Sequence, residues 1–258
     1  MSAMSAAKYI AIPLTLFSLT AVASPEIARV VALVGTVSAQ VPHGPMEILA
    51  TGSPLTDLDT ITTQKSSYVR LKFTDGGTVT LRPDTAFRIS AYHLDKAAPE
   101  KSGMVASLIQ GGMRAIDGWI GHHNPGGYKV HAGVATMGVL GTRFGLLLCK
   151  GPTYEPAHSG TTPDKVTGNK PDEWHQVCPG KGLYLEVYKG KVTLTNPAGT
   201  HFYATGQYGY TANRDTQPTV MISNPDINYA LPASMETSNT FLNLHGVSSS
   251  TGACLANG

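Results

Sequence analysis

The residues of this chain that could do chemistry are few, and their spacing limits what each could do. His122 and His123 stand side by side in Gly121-His122-His123-Asn124-Pro125-Gly126-Gly127, with His131 a short way on. Adjacent imidazoles on a loop can chelate a metal ion, but no carboxylate or thiolate is spaced to complete a site. The stretch therefore reads as an exposed glycine-rich loop, and no metal is expected. Asp57 and Asp59 would point the same way on an extended stretch, where paired carboxylates can share acid–base work. Close to a strand start, they read instead as a solvated turn. Trp119 and Trp174 both lie next to loops, and Tyr92, Tyr128, Tyr208 and Tyr210 offer further rings. Aromatic platforms bind sugars or peptides, although rows of rings on strands more often pack a sandwich. Trp119, Trp174, His122 and His123 are thus the candidate ligand surface. Neither a Gly-x-Ser-x-Gly elbow nor a His-Glu-x-x-His helix is present, so the chain reads as a non-enzyme without a cofactor.

The cysteines and the first residues bear on compartment. Lys8 is the only charged side chain before Glu26, and the apolar stretch from Ile10 to Val22 contains Pro13 and ends at Ala21-Val22-Ala23. This is the pattern of a cleavable signal peptide over residues 1–23, cut after Ala23. Periplasmic or secreted location follows as an expectation. In such an oxidising compartment Cys149 and Cys178 are the natural disulfide pair, closing a segment rich in proline and polar residues. A metal site built from Cys149, Cys178 and His175 lacks the close paired spacing of zinc knuckles. Cys254, near the end of the chain, is left as a free thiol or an intermolecular partner.

The elements that must position these residues are strands. Charged residues make up 14% of the chain, against about 25% in an average soluble domain, while 41% are hydrophobic. That excludes a charge-rich disordered chain and a coiled coil. A net charge of +2 with no basic clusters excludes a nucleic-acid scaffold. Alternating apolar and polar residues run from Ala28 to Ala212. The clearest case is Ser67 to Thr74, with Val69, Leu71 and Phe73 on one face and Tyr68, Arg70 and Lys72 on the other. Asp75-Gly76-Gly77 and a second alternating run, Thr78 to Arg82, complete a hairpin. Further strands are expected at Arg29–Gln40, Thr60–Thr63, Ala86–Tyr92, Met104–Gln110, Tyr128–Ala132 and Gly145–Cys149. Leu183–Tyr188, Lys191–Thr195 and His201–Thr205 follow, with turns at Lys189-Gly190 and Asn196-Pro197. The fold class is all-β: an antiparallel, jelly-roll-like sandwich over residues 24–215, with a β-solenoid as the alternative. Residues 216–258 read as a polar, partly ordered C-terminal tail.

One stretch resembles a known signature. Ala135-Thr136-Met137-Gly138-Val139-Leu140-Gly141-Thr142-Arg143-Phe144 is similar to A-T-x-G-V-R-G-T-x-F of the FecR domain, a bacterial periplasmic β module. Other blocks follow in that family's order. Asp59 to Thr63 resembles G-D-x-x-x-T, Leu71 to Leu81 resembles L-x-F-x-D-G-S-x-V-x-L, and Leu108 to Gly112 resembles L-x-x-G. Leu185 to Val192 resembles V-x-V-x-x-G-x-V, and Gly206-Gln207 the closing G-Q. Within the signature, Gly138 and Gly141 suit close backbone approach or positive φ, Thr142 can cap a turn, and Phe144 would fill the core. Ala135, Thr136, Gly138, Val139, Gly141, Thr142 and Phe144 therefore read as a folding device more than a site. Two departures stand out: Leu140 where the pattern has Arg, and Leu58 where it has Gly. Membrane-anchored FecR proteins resemble anti-sigma regulators whose periplasmic part receives a signal from an outer-membrane transporter. The resemblance, with a cleavable signal in place of an anchor, implies an exported, free-standing module that docks an envelope protein or signal peptide. The alternative is a carbohydrate-binding or structural envelope protein. The mature chain is not expected to insert in a membrane or bind nucleic acid.

Overall fold

The computed structural model describes residues 24–152 and 178–224. The expected signal peptide, Trp174, His175, Cys254 and the chain after residue 224 lie outside the described residues. Among the described residues, fifteen strands join into one open sheet. In chain order they are β1 (Ala28–Val34), β2 (Val37–Gln40), β3 (Met46–Ile48), β4 (Pro54–Leu55) and β5 (Thr60–Thr63). Then come β6 (Tyr68–Phe73), β7 (Thr78–Leu81), β8 (Ala86–His93), β9 (Gly103–Ile116) and β10 (Tyr128–Ala132). The set ends with β11 (Ala135–Cys149), β12 (Gly182–Asn196), β13 (Gly199–Ala204), β14 (Tyr208–Thr211) and β15 (Thr219–Met221). A five-residue helix, α1 (Trp119–His123), sits between β9 and β10.

The sheet folds over itself because its long strands change partner part-way. The first half of β9 pairs with β8 and β10, its second half with β7 and β11. The first half of β11 pairs with β10, its second half with β9, and β12 runs beside both halves. The two halves of β12 pair separately with β14 and β13. Two layers result. One runs β4-β1-β6-β7 and on through the β9, β11 and β12 halves to β14 and β15; the other runs β3-β2-β5-β8 through the remaining halves to β13. Leu71, Val79, Leu81 and Leu146 from the first layer meet Phe87, Ile89, Met137 and Leu194 from the second in one buried core. The expected sandwich is therefore present, built from a single continuous sheet. Its pairings are antiparallel except for β9 with β10, which run parallel. The α1 connection carries the chain from the end of β9 in one layer to the start of β10 in the other.

The bends account for where sequence and structure differ. Gly111, Gly141 and Gly190 have φ of 84°, 63° and 89° and lie inside β9, β11 and β12. Leu183–Tyr188 and Lys191–Thr195 are thus two halves of one bent strand, with Lys189-Gly190 a fold in the sheet and not a hairpin turn. Arg29–Gln40 divides in the opposite sense, into β1 and β2. Alternation on β6 places its residues on two faces, yet Tyr68 and Arg70 are buried along with Val69 and Leu71. The Cys149–Cys178 disulfide is formed, with Cα atoms 5.7 Å apart. Of the stretch read as a tail, β15 pairs with β14 and belongs to the first layer.

Candidate functional site

Three of the sequence candidates, Trp119, His122 and His123, lie on α1. Its first residues are held by the β6–β7 turn. Asp75 accepts the Gly77 N–H at 2.9 Å on Oδ1 and the Ile120 N–H at 3.2 Å on Oδ2. Its carbonyl takes the Trp119 N–H at 2.9 Å, and its own N–H donates to the Tyr92 hydroxyl at 2.8 Å. The same hydroxyl bonds the Thr74 hydroxyl at 2.9 Å, and burial pushes the Tyr92 phenol up to about 12. The Asp-Gly-Gly turn thus serves twice, as a hairpin turn and as the anchor of the helix.

Asp117, immediately before α1, is the second buried carboxylate. Its N–H donates to the Thr142 carbonyl at 3.1 Å, and its Oδ1 lies 3.7 Å from Nε2 of His122. Its Oδ2 has no hydrogen-bond partner among the described residues. A Cβ on Gly121 would stand 2.2 Å from that oxygen, so the helix crosses directly over it. Burial raises the Asp117 carboxyl, opposed by the nearby backbone of Thr142 and by His122 and reinforced by the charge of Asp75. Spacing alone did not single out Asp117; an Asp-Gly pair just before a tryptophan was the available signal.

The candidate ligand residues are engaged in different ways. His123 stacks on Trp119 with ring centroids 4.1 Å apart and bonds the Trp119 carbonyl through Nδ1 at 2.9 Å. One face of the indole is therefore already covered. His122 is largely exposed beside Asp117, whereas His131 lies at the far end of β10, so the three histidines do not converge. No group of three metal-ligating side chains forms among the described residues. Asp59 takes the Thr56 N–H at 2.7 Å in a turn, apart from Asp57.

The signature residues form the β11 bend. Thr142 accepts the Leu140 N–H at 3.2 Å and donates to the Lys191 carbonyl at 2.9 Å. A Cβ on Gly190 would be 2.3 Å from the Gly141 carbonyl oxygen, so the two bends nest. Gly138 passes close to Thr193, Val139 and Phe144 fill the core, and Ala135 and Thr136 open the strand. Leu140, in the place of the family's Arg, is 45% exposed. Leu58, in the place of its Gly, has φ 69°.

Outside α1, apolar side chains lie at the sheet margins. On β3, Met46 is 65% and Ile48 67% exposed, and among the described strands β3 pairs only with β2. At the opposite margin β13 pairs only with β12 among the described strands and presents Phe202.

Comparison with known proteins bears on this arrangement. Two crystal structures of a candidate anti-sigma factor from Parabacteroides distasonis, at 1.65 and 2.50 Å, are similar to 63% of this chain at 14% identity and a TM-score of 0.40. The match takes in 58% of that protein's chain, and a likeness this slight carries no inference about role. No curated protein matches the chain. The family model described as FecR protein matches residues 59–155, from the start of β5 through the end of β11. The blocks from Asp59 to Phe144, including the bend built on Gly141-Thr142, fall inside this match, so residues 59–155 are the part of the chain that is similar to the FecR domain.

Proposed function

We propose that this chain is an exported, non-catalytic signalling module of the bacterial envelope that docks a protein partner by extending its sheet. The observation that carries the reading is the sheet margin left open at β3, just before the residues that match the FecR family. All three residues of β3 are exposed, only Glu47 among them is charged, and one side of the strand has no sheet partner among the described residues. Edges of this kind are usually blunted by charge, proline or a covering segment, and a partner strand satisfies them with backbone hydrogen bonds. The non-catalytic reading is supported by the use made of the polar candidates: Asp59, Asp75 and Thr142 are consumed in turns and bends. Export is supported by the Cys149–Cys178 bridge, which persists in oxidising compartments and is rare in the cytosol.

Two experiments test the proposal. Mass spectrometry of protein recovered from the envelope fraction should give an N-terminus at Ser24 and a peptide pair linked through Cys149 and Cys178. A chain that keeps its first residues, or carries both thiols reduced, removes export. Intact protein used as bait on an envelope extract should recover a specific partner. A Met46→Lys/Ile48→Lys variant should lose that partner while melting at the same temperature. Recovery of no specific partner by the intact protein, or an undiminished one by the variant, ends the edge-docking proposal.

A further inference from the structure

At the end of the second layer away from α1, the β10–β11 turn, the β12–β13 turn and the loop after β14 enclose a cleft of about 170 Å³. His131, Thr136, Thr195, Asn196 and Arg214 supply its polar lining, and Val134 and Pro197 contribute apolar surface. Among the described residues no carboxylate lines it.

The loop that presents Arg214 is pinned. The Asn196 side-chain amide donates to the Asn213 carbonyl at 3.2 Å, the Thr216 carbonyl at 2.7 Å and the Thr211 hydroxyl at 3.3 Å. Its Oδ1 takes the N–H groups of Ala198 and Gly199, closing the β12–β13 turn. Asn213 in turn accepts the Asp215 N–H at 2.8 Å and the Thr216 hydroxyl at 3.1 Å. Every one of these groups is spent on holding the loop. Arg214 itself has no hydrogen bond or ion pair with another described residue. The pinned backbone sets Arg214 at the lining of the cleft, and a guanidinium there with no ion pair among the described residues suits a ligand oxyanion, its planar fork matching a carboxylate.

The cleft opens onto a polar row. Thr200, Thr195, Thr136, His131 and Ser107 are register partners across β13, β12, β11, β10 and β9. At about 4.8 Å per strand the row spans roughly 19 Å. Thr195 and Thr200 share a hydrogen bond of 2.9 Å, and Thr136 holds the His131 ring through Nδ1 at 2.8 Å. These bonds orient the hydroxyls and leave the imidazole Nε2 for an outside partner. A ligand suited to this bed carries one carboxylate and several hydroxyls along an extended axis. A peptide C-terminus supplies the first without the second.

We propose that the cleft binds a uronic-acid unit of an acidic polysaccharide, with Arg214 clamping the carboxylate and the Thr–His row receiving the neighbouring sugar rings. The site is separate from the β3 edge and from α1, so it stands or falls independently of protein docking.

The test is calorimetric titration of the full chain at low salt with oligogalacturonate. Neutral cello-oligosaccharide, acetate and a short peptide with a free C-terminus are run in parallel. Oligogalacturonate should bind, with affinity falling as salt is added, and neither acetate nor the neutral oligomer should match it. Arg214→Gln should weaken binding about ten- to a hundredfold, the range for a charge-assisted contact. Thr136→Val should weaken it less. Arg214 is exposed, so Arg214→Gln should melt with the parent protein. No binding by the intact chain, equal binding by the neutral oligomer, or an unchanged affinity in Arg214→Gln overturns the proposal. Binding of the peptide in place of the sugar overturns it as well and assigns the cleft to a protein terminus.

Discussion

Leu58 shows how one departure from a pattern translates into energy. It holds φ 69° where the FecR pattern has glycine, and its side chain is 41% exposed. A left-handed conformation costs a branched residue about 1–2 kcal/mol, more than the chain entropy glycine gives up, and little packing would be lost. Leu58→Gly should therefore raise stability by about 0.5–1 kcal/mol in urea unfolding; a loss would show that the exposed leucine packs more than its accessibility implies. Asp117 gives a second expectation, in pH. A carboxyl raised in the folded chain binds its proton more tightly there than in the unfolded chain. Its contribution is thus full at low pH and fades as pH rises through the folded value. As pH rises above the ordinary carboxylate value the intact protein should lose stability relative to Asp117→Asn, and parallel melting profiles would contradict this. Neither residue was legible as special from its type. Leu58 became so by comparison with the family pattern, and Asp117 only when β11 was folded against it.

The bends decide the architecture at the scale of elements. Gly190 folds against the Gly141 carbonyl, and Gly111 against Thr85 and Asp84. A methyl group at either place meets backbone, which cannot swing aside. Gly190→Ala and Gly111→Ala should each cost about 2–4 kcal/mol, whereas Gly76→Ala, with open space but positive φ, should cost about 1 kcal/mol. Equal costs at all three would mean that φ alone, not nesting, makes these glycines necessary. Reduction of Cys149–Cys178 should lower stability by about 3 kcal/mol on the chain-entropy account, read as a shift in the urea midpoint. Alternation made the strands legible, including the β6–β7 hairpin and most of β8, β10 and β13. It did not make the bends legible, because a glycine inside a strand carries the same local signal as a glycine between two strands. Nor could it show that Tyr68 and Arg70 would be covered, since a period of two assigns residues to a face without saying what lies over it.

For the whole molecule, the family was readable because its blocks recur in order and each has a separate place in folding, as hairpin turn, bend or core filler. The sites were less readable. Arg214 and His131 are far apart in sequence, and only the crossing of β11 and β12 between layers brings their loops together. The open β3 edge is likewise a property of topology, since Met46 and Ile48 carry no motif. The central claim is that this module works by contact along that edge. It is tested most directly by placing a photo-crosslinking amino acid at Glu47 and, as a control, at Lys129 on the exposed face of β10, in cells that export the protein. The account predicts one discrete protein adduct from position 47 and none from position 129. No adduct from 47, or the same adducts from both positions, would contradict it.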